Sequence, residues 1–207
     1  MDLKQRILQE ASPLLFEMGP VAMTMDMVAR SCGISKRTLY GQFPDKKSLI
    51  RECMALDHDN TAAEFKKIFD GASNCFEALF GVFSFMRKKL ASMHISFHDD
   101  IKRLYPDLYC SLHKENDQRR VMGLASVLSN AQNEGLVVEG INTQVASFLF
   151  FATIKSLHRN SQIAEYEFTQ IDVFDGAFIN FLRGVASHKG LELIECYLKK
   201  NINNRYK

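Results

Sequence analysis

From Thr24 to Lys46 the chain reads TMDMVARSCGISKRTLYGQFPDK, and this stretch constrains the rest more than any other. Thr24 can cap a short helix whose inward positions are Met25, Val28 and Ala29, and Gly33 offers the positive φ on which such a helix ends. Cys32, Gly33 and Ile34 then form a small-Gly-apolar turn of the kind that packs two helices at a steep angle. The next helix, from Ser35 to Gly41, turns Leu39 towards the core and leaves Lys36, Arg37, Thr38 and Tyr40 outside. Those residue types suit a phosphate-lined groove. Lys36 and Arg37 can bind phosphates, Arg37 can also present a bidentate fork to a guanine edge, and Thr38 and Tyr40 can donate to phosphate oxygens. Pro44 and Asp45 mark a break and a cap for a long helix that opens with Lys46 and Lys47, and its N-terminus is a phosphate site in its own right. The pattern predicts a head that reads DNA.

Written as a motif, T-x-x-x-[VI]-A-x-x-x-G-[IV]-S-x-x-T-L-Y-x-x-F-x-x-K is carried by Thr24, Val28, Ala29, Gly33, Ile34, Ser35, Thr38, Leu39, Tyr40, Phe43 and Lys46. It resembles the N-terminal signature of TetR-type transcriptional regulators, densely from Thr24 to Lys46 and weakly beyond. Three residues depart from the family's habit: Arg37 stands where a small residue is frequent, Gly41 where a bulky one is, and Gln42 where His or Tyr meets a phosphate. The resemblance implies an all-α chain, with an N-terminal three-helix helix-turn-helix head on a larger helical ligand-binding and dimerisation body. It also implies a DNA-binding set of Thr24, Ser35, Lys36, Arg37, Thr38, Tyr40, Gln42 and Lys46. The partners it implies are a palindromic double-stranded operator, a second copy of the chain and a small-molecule effector.

With 207 residues, 46% of them hydrophobic, the chain can bury a sizeable core. The expected division is a DNA-binding domain over 1–46, an effector-binding and dimerisation domain over 47–187, and a C-terminal amphipathic helix and tail over 188–207. The formal charge of +2 lies within the first 50 residues, and the tail from Lys199 is basic, so the middle of the body is slightly acidic and nucleic acid is expected at the head. Five widely spaced cysteines without a C-x-x-C pair read as reduced thiols. No signal peptide or membrane span is legible, and a cytoplasmic protein is expected.

Along the chain, Leu3, Ile7, Ala11, Leu14, Leu15 and Met18 recur at helical spacing until Gly19 and Pro20, a helix that would brace the reading pair. Pro13 inside it predicts a kink, or a restart capped by Ser12. A helix from Asp45 to about Phe69 should bury Leu49, Cys53, Leu56, Phe65, Ile68 and Phe69. The next, capped by Ser73 or Asn74, carries Phe76, Leu79, Phe80, Phe83, Met86 and Leu90. Ile95 to Tyr105 reads as a short helix, and Asp107 to Glu134 as a long one with Leu108, Leu112, Val121, Leu124, Leu128 and Ala131 inward. The helix from Asn142 to Leu157 is apolar on two faces, Val145, Phe148, Leu149 and Ala152 on one and Phe150, Phe151 and Ile154 on the other, so it needs two partners. Asp172 to Ser187 bears a seam of Phe174, Ala177, Phe178, Phe181, Leu182 and Val185. Leu191, Ile194, Leu198 and Ile202 suggest a last amphipathic helix, with Asn203 to Lys207 frayed.

Phe80, Phe83, Met86, Phe97, Tyr105 and Tyr109 fall on segments that surround an effector cavity in proteins resembling this one, and such walls suit an apolar or amphipathic ligand. Phe148, Phe151, Phe174, Phe178 and Phe181 offer more apolar surface than one body can cover, which predicts a dimer interface. Two other readings compete. His94 with His98, and Cys110 with His113, have spacings that could set two metal ligands on one helix face, so a metal-responsive regulator is one alternative, although no metal or cofactor is implied. A helical interaction module without DNA binding is the other. Asp57-His58-Asp59 points its members apart on a helix, and neither a G-x-S-x-G, a Walker loop nor a dinucleotide fingerprint occurs, which leaves an enzyme nothing to work with.

Overall fold

The computed structural model describes residues 2–157 and 168–201. Among them are ten α-helices: α1 Leu3–Ala22, α2 Met25–Ser31, α3 Lys36–Gln42, α4 Lys46–Gly71, α5 Cys75–Ser92, α6 Phe97–Leu104, α7 Pro106–Asn133, α8 Thr143–Leu157, α9 Gln170–Val185 and α10 His188–Asn201. The all-α expectation holds for them, with only an isolated antiparallel bridge between Val137 and Ala186. No helix among the described residues is long and apolar enough to cross a membrane.

The chain divides into two compact units. The first takes residues 1–67 and 89–113, the second 68–88 and 114–207. The first unit thus extends beyond residues 1–46. Its core joins Ile7, Leu8, Ala11 and Leu15 of α1 to Met25, Val28, Ala29 and Leu39 of the reading pair, and then to Leu49, Ile50 and Cys53 of α4, Phe97 and Ile101 of α6 and Leu108 of α7. The reason is surface economy: α2 and α3 have 7 residues each, and helices so short bury too little apolar area to hold together without α4 and α6.

In α1 the expected break at Pro13 is absent. The helix runs through it, and the Ser12 hydroxyl donates to the Leu8 carbonyl at 2.7 Å instead of capping a new helix. Buried side chains on both sides, Ala11 and Leu15, hold the backbone in place while one hydrogen bond is forgone. The true break is Gly19 (φ 82°, ψ 161°). The positive φ selects glycine there, and a Cβ would press on the His94 ring, 3.2 Å from its Nδ1. Beside it the His94 amide donates to the Phe16 carbonyl at 2.7 Å, and the Phe16 and Phe97 rings lie 5.0 Å apart, which docks α6 on α1.

The second unit is built round Phe76, Leu79, Phe80 and Phe83 of α5, packed with Leu128 and Ala131 of α7, Phe178, Ile179, Leu182 and Val185 of α9, and Ile194 of α10. Asn74 caps α5, accepting from the Glu77 amide at 2.9 Å. The α7 helix ends on Gly135 (φ 72°), where Gly135 N–H donates to Gln132 and Leu136 N–H to Ala131, a paired closure that sends Leu136 back into the core. Gly190 lies under that turn, since a Cβ on it would stand 2.1 Å from the Leu136 carbonyl oxygen. Arg87 Nε donates to both carboxylate oxygens of the buried Asp175 at 2.9 Å, and Ser84 and Tyr197 share a 2.7 Å hydrogen bond, so α5 is fastened to α9 and α10 by polar links inside an apolar layer.

Several inward expectations fail at helix ends. Phe69 and Leu191 are exposed, and α4 buries only Leu49, Ile50 and Cys53 fully. Ile95 precedes α6 instead of opening it and is also exposed. His94 and His98 do not share a helix, which removes the geometry that made them a ligand pair. The side chains of Leu112 and His113, together with Ile202 and the tail Asn203 to Lys207, lie outside the described residues.

Candidate nucleic-acid interface

The reading pair forms by local hydrogen bonding. Thr24 Oγ1 accepts from the Met27 amide at 3.2 Å and starts α2. Gly33 (φ 64°) ends it, with Gly33 N–H on Arg30 and Ile34 N–H on Ala29. Nothing lies within 4 Å of where a Cβ on Gly33 would be, so the dihedral alone selects glycine. Ser35 Oγ accepts from the Thr38 amide at 3.1 Å and shares a 2.8 Å bond with the Thr38 hydroxyl, which starts α3. Asp45 Oδ1 accepts from the Ser48 amide at 2.7 Å and starts α4. That bond holds the Asp45 carboxyl below the usual range, and a carboxylate thus occupies part of the helix end at which a phosphate was expected.

α1 braces this pair. Arg6 donates to the Cys32 carbonyl at 3.2 Å, Glu10 accepts from Ser31 at 2.8 Å, and Lys4 pairs with Glu52 at 2.8 Å. Leu39 is completely buried, and Lys36, Arg37, Thr38, Tyr40 and Gln42 are exposed. The outward face expected for α3 is therefore present, but its members are not equally available. Lys36 Nζ sits 2.5 Å from Asp26 Oδ2 on α2. Lys46 is partly buried and donates to the Val21 carbonyl at 3.4 Å, and desolvation lowers its pKa. Arg37 has no hydrogen-bond or ion-pair partner among the described residues. Sequence reasoning missed Asp26, Arg6 and Ser48. Arg6 and Asp26 act through contacts between helices, Ser48 through the local cap at Asp45, and Asp26, ten residues before Lys36, carried no local signal.

The residues expected to line an effector site divide between the two units. Phe97, Tyr105 and Tyr109 belong to the core and margin of the first. Phe80 and Phe83 belong to the core of the second, where Phe83 stacks on Phe178 (4.3 Å between centroids) and Phe174 (5.4 Å), Phe80 stacks on Tyr197 (3.8 Å), and Met86 is half-buried. Of the residues expected at a dimer interface, Phe178 is 6% exposed and packs from α9 against Phe80 and Phe83 of α5 and Phe150 of α8. Phe174 and Phe181 pack half-buried against the same core, and Phe151 is half-buried. Phe148 is 60% exposed, beside Leu149 at 58% and Val145 at 52%. Ser147, on the same helix, is fully buried, and its hydroxyl has no partner among the described residues.

A short capped helix, held outward by a second one and carrying exposed cationic and hydroxyl side chains, defines a helix-turn-helix head. Residues 7–53 match the family model of bacterial regulatory proteins, tetR family. The HTH-type transcriptional regulator UidR of Escherichia coli K12 is 23% identical over 146 residues, covering 70% of this chain and 74% of that protein. Solved structures repeat the fold: a TetR-family transcriptional regulator from Marinobacter aquaeolei VT8 (TM-score 0.71, 16% identity, 97% of this chain and 98% of the other) and regulatory protein TetR from Rhodobacter sphaeroides (0.70, 13%, 87% and 97%). Residues 7–53 thus carry the helix-turn-helix described by the tetR-family model, and the fold of the described residues is the one these solved structures share.

Proposed function

We propose that the chain is a sequence-specific repressor that binds a palindromic operator as a homodimer and releases it when a small apolar or amphipathic molecule enters the body. The observation that carries the DNA half is Arg37: it is exposed on a doubly capped α3, and among the described residues no protein group occupies its guanidinium. Arg37 is assigned the base edge; Lys36, Thr38, Tyr40, Gln42 and Lys46 the phosphates; Thr24 and Ser35 hold the two helix starts at the backbone. The apolar face of α8 supports the dimer, because Val145, Phe148 and Leu149 recur at helical spacing and are exposed among the described residues. Two-fold symmetry then requires two inverted half-sites. Selection from random duplexes tests this: enrichment of an inverted repeat is expected, and recovery of no common sequence refutes it.

The effector half is supported by the aromatic content of the second unit, where Phe80, Phe83 and Met86 share α5. A ligand there must displace stacked rings, so it must itself be apolar. It can shift operator affinity only by its differential affinity for the two states, typically about 5- to 150-fold. A panel of amphipathic molecules titrated against the operator complex reads this directly. Phe83→Trp should remove the response while leaving operator binding in place; a response untouched by Phe83→Trp moves the site elsewhere.

A further inference from the structure

We propose that Asp26 is a specificity-determining residue that works by holding back a cation. Asp26 lies in the first turn of α2 and Lys36 opens α3, and the two meet at 2.5 Å with side chains 45% and 62% exposed. Arg30, also on α2, turns its Nε to the Asp26 backbone carbonyl at 3.3 Å. Of the two cations on α3, one is thus already neutralised and the other, Arg37, is not. This inference rests on α3 being the helix that meets DNA.

The two cations differ in what they recognise. A lysine on a phosphate adds affinity for every duplex and carries no sequence information, whereas an arginine fork on a guanine edge discriminates. A loose, hydrated complex on random sequence cannot bring a phosphate close enough to take Lys36 from a carboxylate already in contact. The well-seated complex can, because an exposed ion pair is weakly held and exchanges its partner readily. Asp26 therefore subtracts from nonspecific attraction more than from operator binding. Its own negative charge, left facing the duplex, deepens the penalty on poorly seated complexes.

The test uses the full-length protein with Asp26→Asn, titrated at several salt concentrations against a selected duplex and a random-sequence duplex. Asp26→Asn should tighten random-duplex binding severalfold and steepen its salt dependence by a slope of about 0.9, the worth of one additional phosphate contact. Selected-duplex binding should gain less, so the ratio between the two falls. Adding Lys36→Gln to Asp26→Asn should return the random-duplex slope to that of the unmodified protein. An unchanged random-duplex affinity and slope would overturn the proposal, as would equal weakening on both duplexes with an intact thermal midpoint. Arg37→Ala in the same titration separates the two layers. If it leaves both affinities unchanged, the assignment of α3 to DNA falls; if it weakens only the selected duplex while Asp26→Asn changes nothing, the role of Asp26 alone falls.

Discussion

α3 and α8 are both helices with an uncovered face, and they are uncovered in opposite ways. α3 buries one residue, Leu39, and shows water Lys36, Arg37, Thr38, Tyr40 and Gln42. α8 turns Ser147 and Phe150 inward and shows water Val145, Phe148 and Leu149. A polar face is content in water, so its composition marks a partner that rewards charge and hydrogen bonds, a polyanion. An apolar face of three large side chains costs free energy while it stays wet, which favours a partner that covers it. Exposure alone does not separate the two helices; the chemistry of the exposed atoms does.

Four substitutions can break or sharpen that contrast, taken from the largest effect to the smallest. Leu39→Ala removes the one anchor of α3 and should cost about 2–5 kcal/mol. Calorimetry would register it in the first unit, and operator affinity should fall with it. If α3 stays bound to DNA with unchanged affinity, its orientation does not depend on the core.

Phe148→Asp should leave the folded single chain intact, because the side chain is already exposed there, while dimer affinity falls by about 2 kcal/mol or more, roughly thirtyfold. Sedimentation at micromolar concentration distinguishes the outcomes. A lowered thermal midpoint of the monomer would instead place Phe148 in its own chain's core.

Arg37→Ala should cost about 1–3 kcal/mol on the selected duplex and relax preference at one base position, with no loss of stability. Uniform weakening on all sequences would reassign Arg37 to a phosphate.

The smallest effect concerns pH. The Asp45 carboxyl titrates below its ordinary value, chiefly because the Ser48 amide bonds to it. Its contribution is complete above the unfolded pKa of about 3.9 and is lost as pH falls through the lower folded value. Asp45→Asn should flatten this acid limb of the stability profile. An unaltered limb would show that the α4 cap does not couple to folding.

The head was legible in the sequence because its instructions are local. Thr24, Gly33, Ser35 and Asp45 each act within a few residues of themselves through caps and one obligatory positive φ, and Val28, Ala29 and Leu39 follow the helical period. The two faces of α8 were legible for the same reason. What failed was whatever depended on a distant segment. Pro13 announces a broken helix, yet flanking burial overrules it, and the break falls at Gly19, where His94 crowds the backbone. Phe178 follows the same period as Phe174 and Phe181, and periodicity cannot say that it is Phe178 that α9 drives into the rings of α5 and α8.

By itself, then, the sequence determined helix content, the positions of the caps and the outward face of α3, since these arise from torsions and hydrogen bonds between near neighbours. Only the tertiary structure decided which aromatic residues are interior, that the head's core needs α4 and α6, and that Lys36 meets Asp26 while Arg37 stands free of protein partners among the described residues. Those outcomes depend on which surfaces come together across tens of residues, and a hydrophobic period or a charge specifies that a side chain will be covered or paired without specifying by what.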